Sequence, residues 1–397
     1  MSEVSTLHEL ESQLLGDVVT PGDPRFGSAC SVYNAMIDKK PALFAQCEDV
    51  SDVMKAVTYA REHKSAVSIL GGGHSGPGLG LVEDGVTIDL SKMHGVHVDP
   101  RRRTGLAQGG CTWGQFDHAT HAFGLATPAG IISTTGVGGL TLGGGHGYLT
   151  RKYGLTIDNL RSADVVLADG SFLTANSEEN ADLFWALRGG GGNFGVVTSF
   201  EFDLHPVRNV YAGPMLWPVE SAADVLRWYR EFLPKAPEDL YGFFGFMVVP
   251  PAEPFPKPLH GRRVCGCVWC YLGSPDAGEQ ALRPAREFAK PLWEHVGEMP
   301  YPTLQSAFDG LYPPGLQWYW KGDFVREISD DAIAAHVHYG SRLPSALSTM
   351  HLYPVDGASH SVSSSDTAFS YRDATWSMVI VGVDSKPENA DRITAWV

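Results

Sequence analysis

Short apolar runs alternate with glycine-dense loops across residues 38–208, which we assign to a first domain. The runs have the length and β-branched content of strands: AVSIL (66–70), GVTIDL (85–90), ADVVLADG (163–170), FLTAN (172–176) and GVVTSFEFDL (195–204). The loops between them are GGGHSGPGLG (71–80), GVGGLTLGGGHG (136–147) and RGGGGNFG (188–195). Asp169-Gly170 predicts a hairpin turn. Ser51 precedes apolar residues at helical spacing and is the predicted N-cap of a helix.

The pattern changes beyond Pro206, where glycine becomes less dense. An amphipathic helix, AADVLRWYREFL (222–233), precedes the strand-like runs LYGFFGFMVV (240–249), RRVCGCVWCYLG (262–273), STMHLYPV (348–355) and WSMVIVGV (376–383). We therefore expect residues 209–397 to form an α+β substrate domain with a mainly antiparallel sheet. Residues 1–37 are predicted to be an N-terminal helical segment.

Composition and charge exclude several classes of protein. The formal net charge of −15 is unsuited to a nucleic-acid or anionic-lipid partner, since both require a basic surface. No apolar run reaches the roughly 18 residues of a membrane span, and the acidic N-terminus does not resemble a signal peptide. Six cysteines in 397 residues do not suggest a disulfide framework, so we expect a cytoplasmic protein.

Two clusters could bind metal. Cys265, Cys267 and Cys270 allow a soft-metal site, but they also fit a strand in which the first two thiols share one face and the third lies on the other. No second ligand pair with zinc-like spacing lies nearby, so we favour the strand. His118 and His121 have helical spacing without a third ligand. We expect no metal site.

The first glycine loop carries the sharpest chemical signal. Residues 71–76 match the G-x-G-x-x-G pattern, but a proline, further glycines and a strand follow where a dinucleotide-binding Rossmann unit requires a helix. The remaining interpretation is a strand that enters a loop without side chains, whose backbone N–H groups can converge on a diphosphate. His74 would then lie beside the phosphates or the ring of a dinucleotide. Three such loops indicate a large cofactor wrapped by main chain.

The combined motifs resemble a known family, the vanillyl-alcohol-oxidase type flavoproteins, and in particular their berberine-bridge-enzyme-like branch. The motifs are GGGHS (71–75), TPAGIISTTGVGGLTLGGGHGYLTRKYG (127–154), TIDNL (156–160) and DLFWALRGGGGNFGVVTSFEFDLHPV (182–207). QWYWKGDF (317–324) and YRDATWSMVIVGVD (371–384) are similar to the family's substrate domain more loosely. The resemblance implies a two-subdomain PCMH-type FAD-binding domain over residues 38–208 and hydride transfer from a small alcohol, amine or sugar to FAD.

The resemblance also implies the cofactor contacts. His74 would be linked to the 8α-methyl of the flavin, and no cysteinyl link is expected because Ile132 stands where many relatives have cysteine. Thr135 corresponds to a position associated with dioxygen access, and threonine is not the usual residue there. We expect dioxygen to reoxidise the flavin, with another acceptor as the open alternative. The remaining expected cofactor residues are Gly71, Gly72, Gly73, Ser75, Gly76, Gly130, Gly136, Gly138, Gly139, Gly143, Gly145, Gly147, Tyr148, Gly195, Val196 and Val197.

Oxidation of an alcohol or amine also requires a proton acceptor on the substrate domain. Period-two spacing places Tyr319 with Lys321 on one strand face, and His351 with Tyr353 on another. These four are the catalytic candidates. A non-covalent flavin reductase of the same fold, or a ligand-binding remnant without catalysis, is the alternative function. The sequence does not fix the substrate or the oligomeric state.

The C-terminal residues suggest a helix that starts at a capping box, residues 385–388, with Pro387 in its first turn. Such a helix would expose Ile393, Trp396 and Val397. Relatives carry a further flavin-contacting segment beyond a helix of this kind. We therefore expect the protein to continue past Val397 and to complete its active site there.

Overall fold

The computed structural model describes residues 3–397 and has the expected α+β architecture. The helices are α1 (Glu3–Gln13), α2 (Phe26–Ala29), α3 (Val50–Glu62), α4 (Trp113–His121), α5 (Val137–Leu142), α6 (Thr150–Tyr153), α7 (Ala181–Leu187), α8 (Ala222–Phe232), α9 (Pro275–Phe288), α10 (Tyr301–Gln305), α11 (Asp330–Gly340) and α12 (Ala390–Trp396). The strands of the first half are β1 (Asp17–Val19), β2 (Leu43–Gln46), β3 (Val67–Leu70), β4 (Val86–Asp89), β5 (Val96–Asp99), β6 (Thr104–Gln108), β7 (Leu125–Ala126), β8 (Leu160–Val166), β9 (Phe172–Asn176) and β10 (Val196–Asp203). Those of the second half are β11 (His205–Pro206), β12 (Asn209–Pro218), β13 (Leu240–Val248), β14 (Arg263–Tyr271), β15 (Trp293–Glu294), β16 (Gly297–Pro300), β17 (Gln317–Val325), β18 (Thr349–Pro354) and β19 (Trp376–Asp384). No helix within residues 3–397 is long and apolar enough to cross a membrane.

The first sheet has the order β1-β2-β4-β3, with β2 and β3 both parallel to β4. Helix α3 packs on it through Val53, Ala56 and Ala60, which are buried. The predicted N-cap was wrong: Asp49 caps α3 by accepting the backbone N–H of Asp52 at 3.0 Å. Strand β1 pairs with β2, so the segment 1–37 also contributes a strand, and its residues 1 and 2 lie outside the described residues.

The second sheet has the antiparallel order β5-β6-β10-β8-β9. The predicted hairpin between β8 and β9 is confirmed, with Gly170 at φ +86° in the turn. The first glycine loop follows β3, the last strand of the first sheet, and the third loop leads directly into β10, the central strand of the second.

The substrate-domain sheet is antiparallel, with the order β15-β12-β14-β13-β18-β19-β17 and with β16 added on β12. One face packs against the helices, including α8 and α11, over a core that contains Trp269 and Phe244. The opposite face packs towards the first domain through residues such as Phe243 and Tyr353. Cys265 and Cys267 lie in the helix-side core and Cys270 lies on the opposite face, as the strand interpretation predicted.

The C-terminal prediction is corrected in two respects. The chain forms a short 3-10 turn (Pro387–Asn389) before α12 begins at Ala390, and Lys386, the cap of that turn, makes no side-chain cap hydrogen bond. Ile393 is buried because α12 lies on the sheet: a Cβ on Gly382 would come within 2.9 Å of Cβ of Ile393. Apolar contact with the sheet therefore covers Ile393, one of the three residues that were expected to be exposed, and Trp396 and Val397 are partly buried.

Two buried ion pairs join the domains: the first domain supplies the cation of one pair and the anion of the other. Arg151 on α6 donates to Asp356 after β18 (Nε to Oδ1, 2.8 Å), and Arg372 before β19 donates to Asp158 in the first domain (Nη2 to Oδ1, 2.7 Å). All four side chains are less than a tenth exposed. The Arg151 guanidinium also donates to the carbonyl oxygens of the segment before β13. Loss of one partner would leave a buried charge without compensation.

We predict that Asp356→Asn lowers the free energy of unfolding by about 3–5 kcal/mol, because Arg151 would keep its charge in a buried site without a counter-charge. Urea denaturation measures the change. The matched control is Asp239→Asn, which breaks the neighbouring pair with Lys152, whose side chains are 36% and 33% exposed. The control should cost less than about 1 kcal/mol. Equal losses in the two variants would contradict a structural role for the buried pair.

Candidate functional site

The first and second glycine loops meet backbone to backbone. A Cβ on Gly72 would lie 2.4 Å from the backbone nitrogen of Gly136, and a Cβ on Gly136 would lie 2.5 Å from that of Gly72. Any side chain at either position would therefore push the loops apart. A Cβ on Gly71 would also come within 3.1 Å of the carbonyl oxygen of Gly109. These glycines are required for close approach of main chain.

The first loop presents a row of unused donors. The backbone N–H groups of residues 71–76 have no hydrogen-bond acceptor among the described residues. In the second loop, the N–H groups of Gly138 and Gly139 at the start of α5 likewise have no acceptor within residues 3–397. The contact between Gly72 and Gly136 brings the two loops together, and unpartnered backbone N–H groups of this kind can bind an anion.

His74 lies in the first loop with its ring held on three sides. Its Nε2 is 3.0 Å from Oγ1 of Thr134 and its Nδ1 is 3.4 Å from Oγ1 of Thr135. Its ring stacks on that of Tyr33, with 3.9 Å between centroids. Burial lowers the pKa of His74 to about 4, so the imidazole is neutral at physiological pH. A cleft of about 240 Å³ adjoins it.

The segment before β2 ties this loop to the substrate domain. Tyr33 stacks on both His74 and Trp318. Asn34 donates to the carbonyl oxygens of Gly76 (2.9 Å) and Trp318 (3.0 Å) and accepts the N–H of Trp318. Sequence reasoning missed both residues because no local motif surrounds them.

Gly76 provides space for an aromatic ring. A Cβ at this position would lie 2.6 Å from the indole of Trp320 on β17. This places β17 against the first glycine loop. The face of β17 that carries Trp318 and Trp320 is therefore the face turned to the site.

Pairing of β17 with β19 fixes where the catalytic candidates lie. Tyr319 and Lys321 do share a strand face, but they pair with Gly382 and Ile380, on the side covered by α12 and the helix layer. The structure therefore does not bring Tyr319 and Lys321 together with the glycine loops. Sequence periodicity identified the shared face and could not identify which side of the sheet it was.

His351 and Tyr353 lie on the face turned to the site. Across the sheet, His351 pairs with Val379, which pairs with Gly322, and Gly322 is on the Trp320 side of β17. The Tyr353 hydroxyl is 2.5 Å from Nδ1 of His351. Burial lowers the pKa of His351 to about 4 and raises that of Tyr353. Both groups are neutral at physiological pH.

His146 in the second loop joins this pair and was missed as a candidate. Its ring centroid is 5.2 Å from that of Tyr353, and its Nδ1 has no partner among the described residues. Burial lowers its pKa to about 4. The signal was present in the sequence, since a histidine interrupts the glycine run GGGHG.

The site-facing side of the large sheet carries no formal charge. On the strands β12, β13, β14, β17, β18 and β19, none of the residues on this face is Asp, Glu, Lys or Arg. The polar residues on the three strands nearest the loops are Thr349, His351, Tyr353 and Ser377. The surroundings are aromatic, including Phe243. A ligand placed on this face would meet aromatic rings and neutral hydrogen-bonding groups.

The other expected cofactor residues are either glycines at close contacts or residues in or beside the loops. Gly145 (φ +74°) and Gly147 pass so close to Thr156 and Ala129 that a side chain would collide, and Gly130 contacts Leu140. The following residues also lie in or beside the loops: Ser75, Gly73, Gly143, Tyr148, Gly195, Val196 and Val197. Tyr148 is buried with its hydroxyl unpartnered among the described residues. Val196 and Val197 are buried at the start of β10.

The third loop packs on a segment of the substrate domain. Gly189 (φ +112°) leaves room for Phe369, whose backbone N–H donates to the carbonyl oxygen of Arg188 at 3.2 Å. No group of three or more metal-ligating side chains occurs within residues 3–397.

Comparison with known proteins identifies similarities over most of the chain. Residues 41–176 match the model of a family described as an FAD binding domain. An FAD-linked oxidoreductase of Dictyostelium discoideum is 29% identical over 368 residues, which cover 92% of this chain and 78% of that protein. The (R)-6-hydroxynicotine oxidase of Paenarthrobacter nicotinovorans is 30% identical over 310 residues, or 77% of this chain and 66% of that protein.

A solved structure has the same fold. The BBE-like 1 protein of Physcomitrella patens superposes with a TM-score of 0.86 at 23% identity, covering 98% of this chain and 86% of that chain. The two observations made above fit an FAD-sized ligand: the unpartnered N–H groups of residues 71–76 suit its diphosphate, and the contact between Gly72 and Gly136 leaves the surface free of side chains.

We predict that Gly72→Ala lowers both stability and flavin content, because the new Cβ must separate two backbones that are already in contact. The overpacking should cost about 1–3 kcal/mol in urea denaturation. The ratio of flavin absorbance to protein should fall with it. Gly22→Ala is the control, since no atom lies within 4 Å of its Cβ. Full flavin content and stability in Gly72→Ala would contradict the proposed close approach.

A second prediction concerns the loss of stability at acidic pH. Unfolded His146 binds a proton near pH 6.5, whereas folded His146 stays neutral down to about pH 4. Between these values the unfolded state binds more protons, so the contribution of His146 to stability falls as pH decreases. His146→Gln cannot titrate. Its free energy of unfolding should therefore decrease less than that of the wild type between about pH 7 and about pH 5.

Urea denaturation at the two pH values measures this difference. His338→Gln, at an exposed position on α11, is the matched control and should follow the wild type. If wild type and His146→Gln lost the same free energy on acidification, His146 would not be held neutral in the fold.

Proposed function

We propose that this chain is a berberine-bridge-enzyme-like FAD-linked oxidoreductase and that it oxidises a small organic alcohol, amine or sugar with an FAD that is bound covalently through His74. The observation that carries this proposal is a neutral imidazole in the middle of a loop whose six consecutive N–H groups, residues 71–76, lack acceptors among the described residues. When bound, FAD supplies the chemistry that accepts a hydride equivalent from a substrate C–H bond.

His74 suits covalent attachment in three ways. Its pKa of about 4 keeps a lone pair on the imidazole, as bond formation from nitrogen requires. The hydroxyls of Thr134 and Thr135 and the ring of Tyr33 hold its orientation. Ile132, where many relatives have cysteine, offers no thiol for a second link.

The loop that contacts His74 is itself held by the substrate domain. Asp309 accepts from the N–H (3.1 Å) and the hydroxyl (2.5 Å) of Ser133, the residue before Thr134. This arrangement supports a single, fixed imidazole orientation.

The substrate would bind between the glycine loops and the uncharged sheet face. Tyr353, His351 and His146 provide neutral hydrogen-bonding groups there, and Trp320 and Phe324 provide aromatic surface. A substrate carrying a full charge would lose its hydration without gaining a counter-charge from this face. We therefore propose that the reacting group is uncharged when it binds.

Dioxygen is the proposed final electron acceptor, with another acceptor as the alternative. Thr135 occupies the position that the family resemblance associates with dioxygen access, and its hydroxyl is 3.4 Å from Nδ1 of His74. A threonine hydroxyl there adds a polar group beside the flavin attachment point. Reoxidation rates in air and with an artificial quinone acceptor distinguish the two.

We predict that tryptic peptides of the purified protein carry FAD on the peptide that contains His74, because this is the neutral nucleophile beside the anion-binding loop. Mass spectrometry gives the attachment site. His74→Ala should bind FAD that acid precipitation releases, and it should oxidise substrate more slowly with the fold preserved. FAD on a cysteine peptide would contradict the attachment site, and wild-type FAD released by acid would favour the non-covalent alternative.

Turnover tests the reaction itself. The wild type is mixed anaerobically with a panel of sugars, aromatic primary alcohols and secondary amines, and loss of the oxidised flavin absorbance reports oxidation. Reduction by at least one uncharged member is expected. If none reduces the flavin, the proposed function falls.

A further inference from the structure

Three side chains on β18 form one continuous hydrogen-bonded row on the site-facing side of the sheet. The hydroxyl of Thr349 donates to the carbonyl oxygen of Phe246 at 2.7 Å. Nε2 of His351 is 2.7 Å from Oγ1 of Thr349, and Nδ1 of His351 is 2.5 Å from the hydroxyl of Tyr353. The row ends at Tyr353, nearest to the glycine loops.

The donors and acceptors of this row can be assigned in only one way while the imidazole is neutral. A carbonyl oxygen can only accept, so the single hydroxyl proton of Thr349 goes to Phe246. Thr349 can then only accept from His351, which places the imidazole proton on Nε2. Nδ1 is left with its lone pair and accepts the hydroxyl proton of Tyr353. The oxygen of Tyr353 keeps its lone pairs and has no other partner among the described residues.

Resting on the proposed function, we propose that this row is the proton acceptor of the reaction. Tyr353 takes the proton of the substrate's O–H or N–H as that bond breaks, and the hydroxyl proton of Tyr353 passes to Nδ1 of His351. Bound FAD would take the electron pair of the substrate C–H bond, so that the substrate would lose one hydride and one proton in all. Thr349 is a positioning residue, because it keeps the proton of His351 on Nε2 and Nδ1 free.

The surroundings keep the row neutral before reaction. The titratable groups that face Tyr353 are His146 and Tyr148 from the second loop, Tyr241 on β13 and Tyr312. Burial lowers the pKa of His146 and raises that of the three tyrosines, so none is charged at neutral pH. His351 is therefore available as a proton acceptor above about pH 4, and kcat/KM should decrease as pH falls towards that value.

The position of the imidazole proton can be measured without turnover. Nitrogen-15 NMR of histidine-labelled protein should show His351 as the Nε2–H tautomer, identified by the signal that is missing in His351→Gln. Thr349→Val removes the acceptor of that proton and should shift His351 towards the Nδ1–H tautomer. In that tautomer the imidazole donates to the oxygen of Tyr353 and can no longer accept from it. Thr349→Ser retains the hydroxyl and should keep the wild-type tautomer.

The second readout is steady-state kinetics, in which the substrate is the panel member that the wild type oxidises fastest. Tyr353→Phe, His351→Gln and Thr349→Val should each lower kcat by about 10²-fold with KM little changed, and Thr349→Ser should return kcat to within about threefold of wild type. The double variant Tyr353→Phe/His351→Gln should be no slower than either single one, because both remove the same step. Tyr339→Phe, at an exposed position on α11, is the control.

The outcomes distinguish failure of the proposed proton-accepting role of the row from failure of the proposed function. An Nδ1–H tautomer in the wild type, or an unchanged kcat in Thr349→Val, overturns the role of the row and leaves the flavin-dependent oxidation standing. If no member of the panel reduces the flavin of the wild type, the proposed function is overturned, and the role of the row as proton acceptor is overturned with it.

Discussion

The contact between the backbones of Gly72 and Gly136 is the constraint on which the site depends. It brings the loop after β3 and the loop before α5 together without any intervening side chain. The same contact sets Thr134 and Thr135 beside His74, since both precede Gly136 by one or two residues. Glycine costs conformational entropy in an ordered loop. Here the absence of side chains at Gly72 and Gly136 lets two loops from distant parts of the chain meet backbone to backbone.

The substrate-domain sheet is joined to the first domain by buried polar groups. The buried pairs of Arg151 with Asp356 and of Arg372 with Asp158 have opposite polarity across the domain boundary, so each domain supplies one cation and one anion. Asn34 adds hydrogen bonds that join Gly76 and Trp318 directly. Ionic and hydrogen-bonded contacts have strict geometry, whereas apolar contacts allow sliding. Directional contacts thus help to set the distance between the glycine loops and Tyr353.

The sequence predicted what depends on neighbouring residues and missed what depends on distant ones. Strands, the hairpin at Gly170 and the three glycine loops follow from local pattern. The N-cap of α3 did not, because Asp49 and Ser51 are both favourable cap residues and local chemistry does not choose between them. The side of the sheet on which Lys321 lies is decided by pairing with β19, far along the chain.

Other parts of the site have no local signature at all. Tyr33 contacts His74 and Trp318 only after three separate segments have assembled. The orphan Nδ1 of His146 becomes visible only when its surroundings are known to contain no acceptor among the described residues. Such features arise from tertiary packing, which periodicity and motif spacing do not encode.

The alternation along β17 has a consequence for how this enzyme can diverge. Consecutive residues of the strand lie on opposite faces of the sheet: Trp318 and Trp320 share the face that contacts the first glycine loop through Trp320, while Tyr319 and Lys321 share the other face. Selection for a new substrate can therefore act on every second residue without disturbing helix packing, and selection for stability can act on the residues between. Substitutions on the two faces of this strand can therefore accumulate independently. Homologues with different substrates should differ mainly at its even-numbered positions.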